Sequence, residues 1–335
     1  MFAATCAGVN RNRLDRALPA RAAGMGSRWS LRFAATVDKG HQPAEKPRHP
    51  EAAVLDLRLG GIGMRSILVH ATSFERHTPA LEFGVRLAAA SGASVTGVYA
   101  YEDPLYTMPP FNATVIDELE AKIAALLQSA VSARQPFLDW AASLKVPAAE
   151  WLVARGPIEA ALVQAATCRD LLVLDHTEAR RAAHWDVAGL ILRAGVPCIV
   201  VPPRTVPAVH FKRIVVAWNG SPEAMRAVHS AVSFLAGAQV LLLRGEERAL
   251  EPGVDWDPPF DIRQYLRARR VDAEPRLVSA GPDAVGASLL EAATHFGADL
   301  LVMGAYGRSR FSEWVLGGAT RDVLAHAEIP VLLQH

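Results

Sequence analysis

Near the carboxyl end of the chain, Gly304-Ala-Tyr-Gly307 is followed nine residues later by Gly317-Gly318, with Arg308 and Arg310 between them. Glycine lets a backbone approach a ligand closely and adopt positive φ at little cost. A helix starting at Gly318 offers unpaired N–H donors and a partial positive charge. The two arginines add charge to the loop. This is chemistry for holding phosphate. It is equally the composition of a flexible loop with a glycine before a helix, and GxxG alone does not separate the two. Asn219-Gly220-Ser221 follows an earlier apolar run. Asn219 either hydrogen-bonds a base or caps the next helix, a role open to Ser221 as well.

Signatures of dedicated catalysis are missing. The sequence has no GxxxxGK[ST], GxSxG or HExxH, and no kinase set. Asp283 and Glu313 could act as bases near the glycine loop, but nothing in the spacing fixes either toward a phosphate. The expectation is a non-enzyme with, at most, slow hydrolysis. His70, His77 and His176 fall near one another in the repeat described below, as a polar cluster, a weak metal site or ordinary polar residues. Cys6, Cys168 and Cys198 form no CxxC, which fits a reducing compartment and no structural zinc.

The elements that must position these residues occur twice. Ser66–Ala71 and Arg213–Trp218 are short, apolar, β-branched runs. Helical runs follow (Pro79–Ala90, Pro222–Ala236), then apolar strands (Ser94–Tyr101, Gln239–Arg244). Gly156-Pro157 and Gly281-Pro282 open helices that end before Asp170-Leu-Leu-Val-Leu and Asp299-Leu-Leu-Val-Met. Each half closes on a proline-led strand, Val196–Val201 and Ile329–Leu333. Ile116, Leu119, Ile123, Leu126 and Leu127 mark one long core-facing stripe within Val115–Leu144. Continuously apolar strands separated by helices predict parallel sheets buried on both faces. The fold expected is α/β: two repeated doubly wound domains, 64–203 and 212–335, each a five-stranded parallel sheet with helices on both faces. Pro202–Phe211 links them. Ligands of such sheets bind beyond the strand ends where strand order reverses. Here that point lies after Trp218 and Met303, and after Ala71 and Leu174.

Of 335 residues, 51% are hydrophobic and 21% charged, enough apolar material for a core. No run reaches the ~18 apolar residues of a membrane span, and a net charge of +1 gives no reason to expect nucleic acid or an acidic membrane as partner. The basic lean lies in residues 1–63, with ten Lys+Arg against five Asp+Glu. That segment lacks a secretory apolar core. It reads as a disordered extension or as sequence preceding a natural start at Met64, with an organelle transit peptide as the weaker alternative. The expected location is cytoplasmic.

From Met64 to His335 these residues resemble the universal stress protein family, as a tandem pair of an adenine-nucleotide alpha-hydrolase-like fold. The second half carries the family's GxxG, nine residues, then G, at Gly304, Gly307 and Gly317. The resemblance implies a stress-response module that binds ATP, with or without Mg2+, in the C-terminal half. The implied nucleotide-binding residues are Asn219, Met303, Gly304, Gly307, Arg308, Gly317, Gly318, Ala319 and Thr320. Two departures from the family pattern stand out. Asn219 replaces the usual aspartate, and Gly318 stands where binders usually carry Ser or Thr. The first half departs further: Asp175-His176-Thr177 replaces the glycine motif, His184-Trp185 fall near the positions of Gly317-Gly318, and Ser73 takes the place of Asn219. An aspartate there would repel phosphate. A scaffold acting through protein contacts without nucleotide is the alternative. The family also implies that the last strands, Ile199–Val201 and Val331–Leu333, pair within the chain as an internal pseudo-dimer. A monomer and a homodimer through another face then both stay open, and the protein partner is unknown.

Overall fold

The structure is a computed structural model; it describes residues 64–102, 113–176, 187–203, 209–245, 257–258, 261–281, 284–306 and 318–335. Gly307, Arg308, Arg310, Gly317, Asp283, Glu313, Thr177, His184 and Trp185, with all of residues 1–63, lie outside the described residues.

The first half runs β1 (Ser66–His70), α1 (Pro79–Ser91), β2 (Ser94–Tyr101), α2 (Ala113–Ser132), α3 (Arg134–Ser143), β3 (Ala149–Arg155), α4 (Ile158–Ala166), β4 (Leu171–Asp175), α5 (Val187–Ala194) and β5 (Cys198–Val201). The second repeats it: β6 (Arg213–Trp218), α6 (Pro222–Leu235), β7 (Gln239–Arg244), α7 (Ile262–Arg267), β8 (Ala273–Leu277), α8 (Val285–Phe296), β9 (Leu300–Gly304), α9 (Gly318–His326) and β10 (Val331–Gln334). One sheet holds all ten strands in the order β3-β2-β1-β4-β5-β10-β9-β6-β7-β8. Every pairing is parallel except β5 with β10. The order reverses between β1 and β4, and again between β6 and β9. Val331, Leu332 and Leu333 pair with Val200, Ile199 and Cys198. The expected internal pairing is therefore present, in a register that leaves Val201 to β4 alone.

Strand side chains alternate faces, so the sheet carries two cores. Ile67, Val69, Val173, Ile199, Ile214, Val216, Val302 and Leu332 pack with α1, α3, α6 and α7. Leu68, Leu172, Leu174, Val200, Val215, Leu301, Met303 and Leu333 pack with α4, α5, α8 and α9. Both cores run through the β5–β10 seam, so the two repeats share their interiors. The end of the linker reinforces the seam: the Phe211 ring lies 6.3 Å from that of Phe83 and 5.3 Å from that of Phe234.

Sequence logic accounts for the starts of the first helix in each half. Thr78 and Ser221 cap α1 and α6 by accepting from the Leu81 and Ala224 N–H groups, with proline at the first helical position each time. The stripe expected over Val115–Leu144 is split into α2 and α3. Pro136 has no N–H and its ring opposes the Ser132 carbonyl, so one continuous helix cannot form. Of the stripe only Ile123 is fully buried; the other four are half-buried.

The Asp-Leu-Leu-Val repeat has a plain structural use. The Asp170 carboxylate accepts from the N–H groups of Arg65 (2.8 Å) and Ser66 (2.9 Å). The Asp299 carboxylate accepts from those of Lys212 (2.7 Å) and Arg213 (3.1 Å). Each ties the start of its half's first strand to the start of its fourth, which sets the strand ends where ligands of this architecture sit.

Candidate functional site

At the C-terminal switch point, β6 and β9 end side by side. Ile214, Val215 and Val216 pair with Leu300, Leu301 and Val302. Asn219 and Gly304 lie just past these pairs. Gly304 is the last residue of β9 and has no positive φ. Its lack of a side chain is used otherwise. A Cβ there would lie 2.5 Å from the Ala224 nitrogen and 2.7 Å from the Glu223 carbonyl carbon. The glycine thus lets the first turn of α6 press directly on the strand end.

Among the described residues that begin and end the loop, the left-handed conformation falls on Tyr306, with φ 53. Its N–H donates to the Thr320 hydroxyl at 3.4 Å, and Thr320 is buried in the first turn of α9. The residues flanking the glycine loop, 306 and 318–320, are thereby held together, and α9 starts beside the end of β9. Ala305 fixes the base of the loop. Its N–H donates to the Gln334 carbonyl at 2.8 Å, and His335 Nδ1 lies 3.1 Å from its carbonyl oxygen. Tyr306 and His335 carried no signal in the sequence, because both contacts join segments distant along the chain.

Around the opening of α9, Gly318 is exposed, Ala319 half-buried and Thr320 buried. Among the described residues no atom lies within 4 Å of a Cβ placed on Gly318. The first turn of α9 holds no acidic residue, unlike those of α1 and α6, which carry Glu82 and Glu223. The N–H groups of a helix start lack intrahelical partners and carry a partial positive charge, which no carboxylate within that turn offsets. Met303 belongs to the core: its side chain is buried among Leu301, Leu333 and the α8–α9 face. Only its backbone could face a ligand. The capping question resolves in favour of Ser221, whose hydroxyl accepts from Ala224 N–H at 3.2 Å. Asn219 is exposed and its Oδ1 accepts from Ser221 N–H at 3.1 Å. Its acceptor is thus turned to the backbone.

The N-terminal switch point differs in charge and in shape. Ile67 pairs with Leu171 as Ile214 pairs with Leu300. This register makes Thr72 the counterpart of Asn219 and Asp175 that of Gly304. The expectation that Ser73 takes Asn219's place is therefore off by one position. Ser73 instead accepts from Glu75 N–H at 3.2 Å. The Asp175 side chain stands where the other half has only the bare backbone of Gly304, against which its helix closes. It accepts from Ala80 N–H at 2.8 Å, in the first turn of α1, and from the Thr72 hydroxyl at 3.2 Å. Burial raises the Asp175 pKa above the ordinary carboxylate value, opposed by the bonds from Ala80, Thr78 and Thr72 and by the charge of Arg76.

A raised native pKa means that the folded chain holds this proton more firmly than the unfolded one. Stability from this group is therefore present at low pH and lost as pH rises through its folded pKa. Asp175→Asn keeps an acceptor for Ala80 and removes the buried charge. We expect it to unfold at the same or a higher temperature than the parent at neutral pH, with the difference shrinking on acidification. A large drop in melting temperature at neutral pH would contradict this.

His70 and His176 are buried, whereas His77 is exposed and stacks on Trp140 with ring centroids 3.7 Å apart. Burial pushes the His70 pKa down to about 4, keeping the ring neutral. Among the described residues no three His, Cys, Asp or Glu side chains are grouped to hold a metal ion. Nor is any described helix long and apolar enough to cross a membrane.

Comparison with known proteins agrees with this architecture. The family model described as "Universal stress protein family" matches residues 210–335. The Thermus aquaticus "Universal stress protein in QAH/OAS sulfhydrylase 3'region" is 35% identical over 138 residues, 37% of this chain and 98% of its own. A universal stress protein structure from Archaeoglobus fulgidus aligns with 80% of this chain and 95% of its own, at 14% identity and a TM-score of 0.58. A universal stress protein in complex with cAMP aligns with 38% of this chain and 98% of its own, at 25% identity and a TM-score of 0.27. The repeated strand order, the spacing of Gly304, Gly307 and Gly317 in the sequence and a relative matched along nearly its full length lead to one conclusion: the chain belongs to the universal stress protein family.

Proposed function

We propose that the C-terminal half binds an adenine nucleotide, ATP with or without Mg2+, and acts as a stress-response switch without dedicated turnover. One observation carries this reading. The Tyr306–Thr320 contact holds the ends of the glycine loop together beside the switch point, next to a helix start with no acid in its first turn. Phosphates would lie on the N–H groups of α9 and within the loop Gly304, Gly307 and Gly317, with Arg308 adding charge. Gly318 and Ala319 would contribute backbone donors, and Met303 only its backbone. Thr320 would act chiefly by holding Tyr306. Asn219 would face the base. Occupancy of the loop would alter a surface seen by a protein partner, provided that partner distinguishes the two states.

The second reading, a scaffold without nucleotide, draws on the Asn219 acceptor being engaged by Ser221 and on the missing hydroxyl at Gly318. Calorimetric titration of the purified chain with Mg-ATP, after a check for carried-over nucleotide, separates the two. The switch reading expects one site per chain, lost in Gly307→Asp, which places a carboxylate against the phosphates. No heat, no carried-over nucleotide and no thermal shift would favour the scaffold.

Gly318→Ser gives a graded version. Among the described residues nothing crowds a side chain at this position. A hydroxyl bonded to a charged phosphate contributes roughly 1.5–3 kcal/mol, so affinity should rise about tenfold or more. An unchanged affinity would mean that phosphate does not sit at the start of α9.

A further inference from the structure

We propose that the cleft at the N-terminal switch point is a second small-molecule site, whose ligand is a zwitterion of the α-amino acid type, its ammonium toward Asp175 and its carboxylate toward Arg76. The cleft encloses about 220 Å³ and is lined by Thr72, Arg76, His77, Thr78, Asp175 and Pro203. Ligand sites for larger molecules run to ~300–1,000 Å³, so this one suits a molecule of few heavy atoms. The two charged groups lining it are opposite in sign. Asp175 is 3% exposed and Arg76 is exposed. Among the described residues Arg76 makes no ion pair. A polyphosphate entering this space meets the Asp175 carboxylate, and a simple amine meets the Arg76 guanidinium. A ligand carrying both charges satisfies both.

Hydrogen-bonding capacity points the same way. An ionised carboxylate offers about four lone-pair positions. Ala80 N–H and the Thr72 hydroxyl take two of them, leaving acceptor capacity for an ammonium group. The His77 ring, 3.7 Å from Trp140 and 19° from parallel, forms a braced wall.

Helix capping does not by itself call for this arrangement. Asparagine caps as well as aspartate and would avoid burying a charge beside α1. At the equivalent position of the other half there is no side chain at all, and the helix closes onto the strand. The two switch points therefore select by opposite charge logic. The inference does not depend on nucleotide binding in the C-terminal half.

The test is a titration of the full-length chain, followed by ¹H–¹⁵N spectra, with free glycine, the part common to all α-amino acids. Methylamine and acetate serve as its two halves. We expect saturable shifts of the Ala80 and Leu81 amides and the Trp140 indole with free glycine. Each half-ligand should bind about tenfold or more weakly. Asp175→Asn should abolish the response while the chain stays folded, and Arg76→Ala should weaken it about tenfold. The proposal is overturned by the absence of a saturable response to free glycine, by either half-ligand binding as tightly as free glycine, or by a full response in Asp175→Asn.

Discussion

Leu332→Asp is expected to leave no folded, soluble chain, and Leu332→Ala to unfold at markedly lower denaturant in a single transition that includes both halves. Leu332 is fully buried in β10, which pairs with β5 on one side and β9 on the other. It therefore sits at the centre of a ten-stranded sheet and in the core that contains Ile199 and Val173 as well as Ile214 and Val302. Truncating a buried leucine to alanine costs about 2–5 kcal/mol. An ionised carboxylate at a site with no partner costs far more, against a total stability of roughly 5–15 kcal/mol. Deleting residues 331–335 should act like the aspartate. It strips the pairing partner from β5 and β9 and exposes apolar strand edges that associate between molecules. Urea unfolding followed by tryptophan fluorescence and by circular dichroism provides the measurement. Two separate transitions in Leu332→Ala, with the one belonging to the first half unmoved, would show that the repeats fold independently and would defeat the shared-core description.

The second large effect is expected at Gly304. Alanine there must displace backbone, because the atoms 2.5 and 2.7 Å from its Cβ are the Ala224 nitrogen and the Glu223 carbonyl carbon. No flexible side chain can yield instead. Overpacking of this kind costs about 1–3 kcal/mol. The displaced element is the first turn of α6, which carries the Ser221 cap and adjoins Asn219. Gly304→Ala should therefore lower the melting temperature and also weaken nucleotide binding, although the added methyl group carries no charge. Gly318→Ala is the control, since none of the described residues comes within 4 Å of a Cβ at that glycine. It should leave stability nearly unchanged. If Gly304→Ala proved as stable as Gly318→Ala, the close approach of α6 to β9 would not be the reason for glycine at position 304.

The strands and their repeat were legible in the sequence because eight of the ten are runs of apolar residues buried on both faces. Runs such as Ile-Val-Val and Leu-Leu-Val-Leu need no partner to be recognised. From that repeat followed the doubly wound order and the reversal points, whereas the pairing of the two last strands was implied by the family resemblance. The spacing of the glycine motif is local and can be read from sequence alone, although Gly307 and Gly317 lie outside the described residues. The two outer strands, β3 and β8, were not legible. Only one residue in each is fully buried, so the apolar signal fades at the sheet edges. Pro275 in β8 further disguises it, although an edge strand tolerates a proline.

What a contact between distant segments decides could not be read from spacing. Asp175 looks like a negative charge at a loop mouth. Only the β1–β4 register places its carboxylate on the first turn of α1, 95 residues earlier. Gly304 looks like a phosphate glycine, but the approach of α6 gives it a packing role too. Thr72, not Ser73, is the counterpart of Asn219, as the alignment of Ser66–Ala71 with Arg213–Trp218 already implies and the strand register confirms. Local chemistry determined which residues could bind. The crossover helices decided which of them stand next to one another and which are already held by the protein itself.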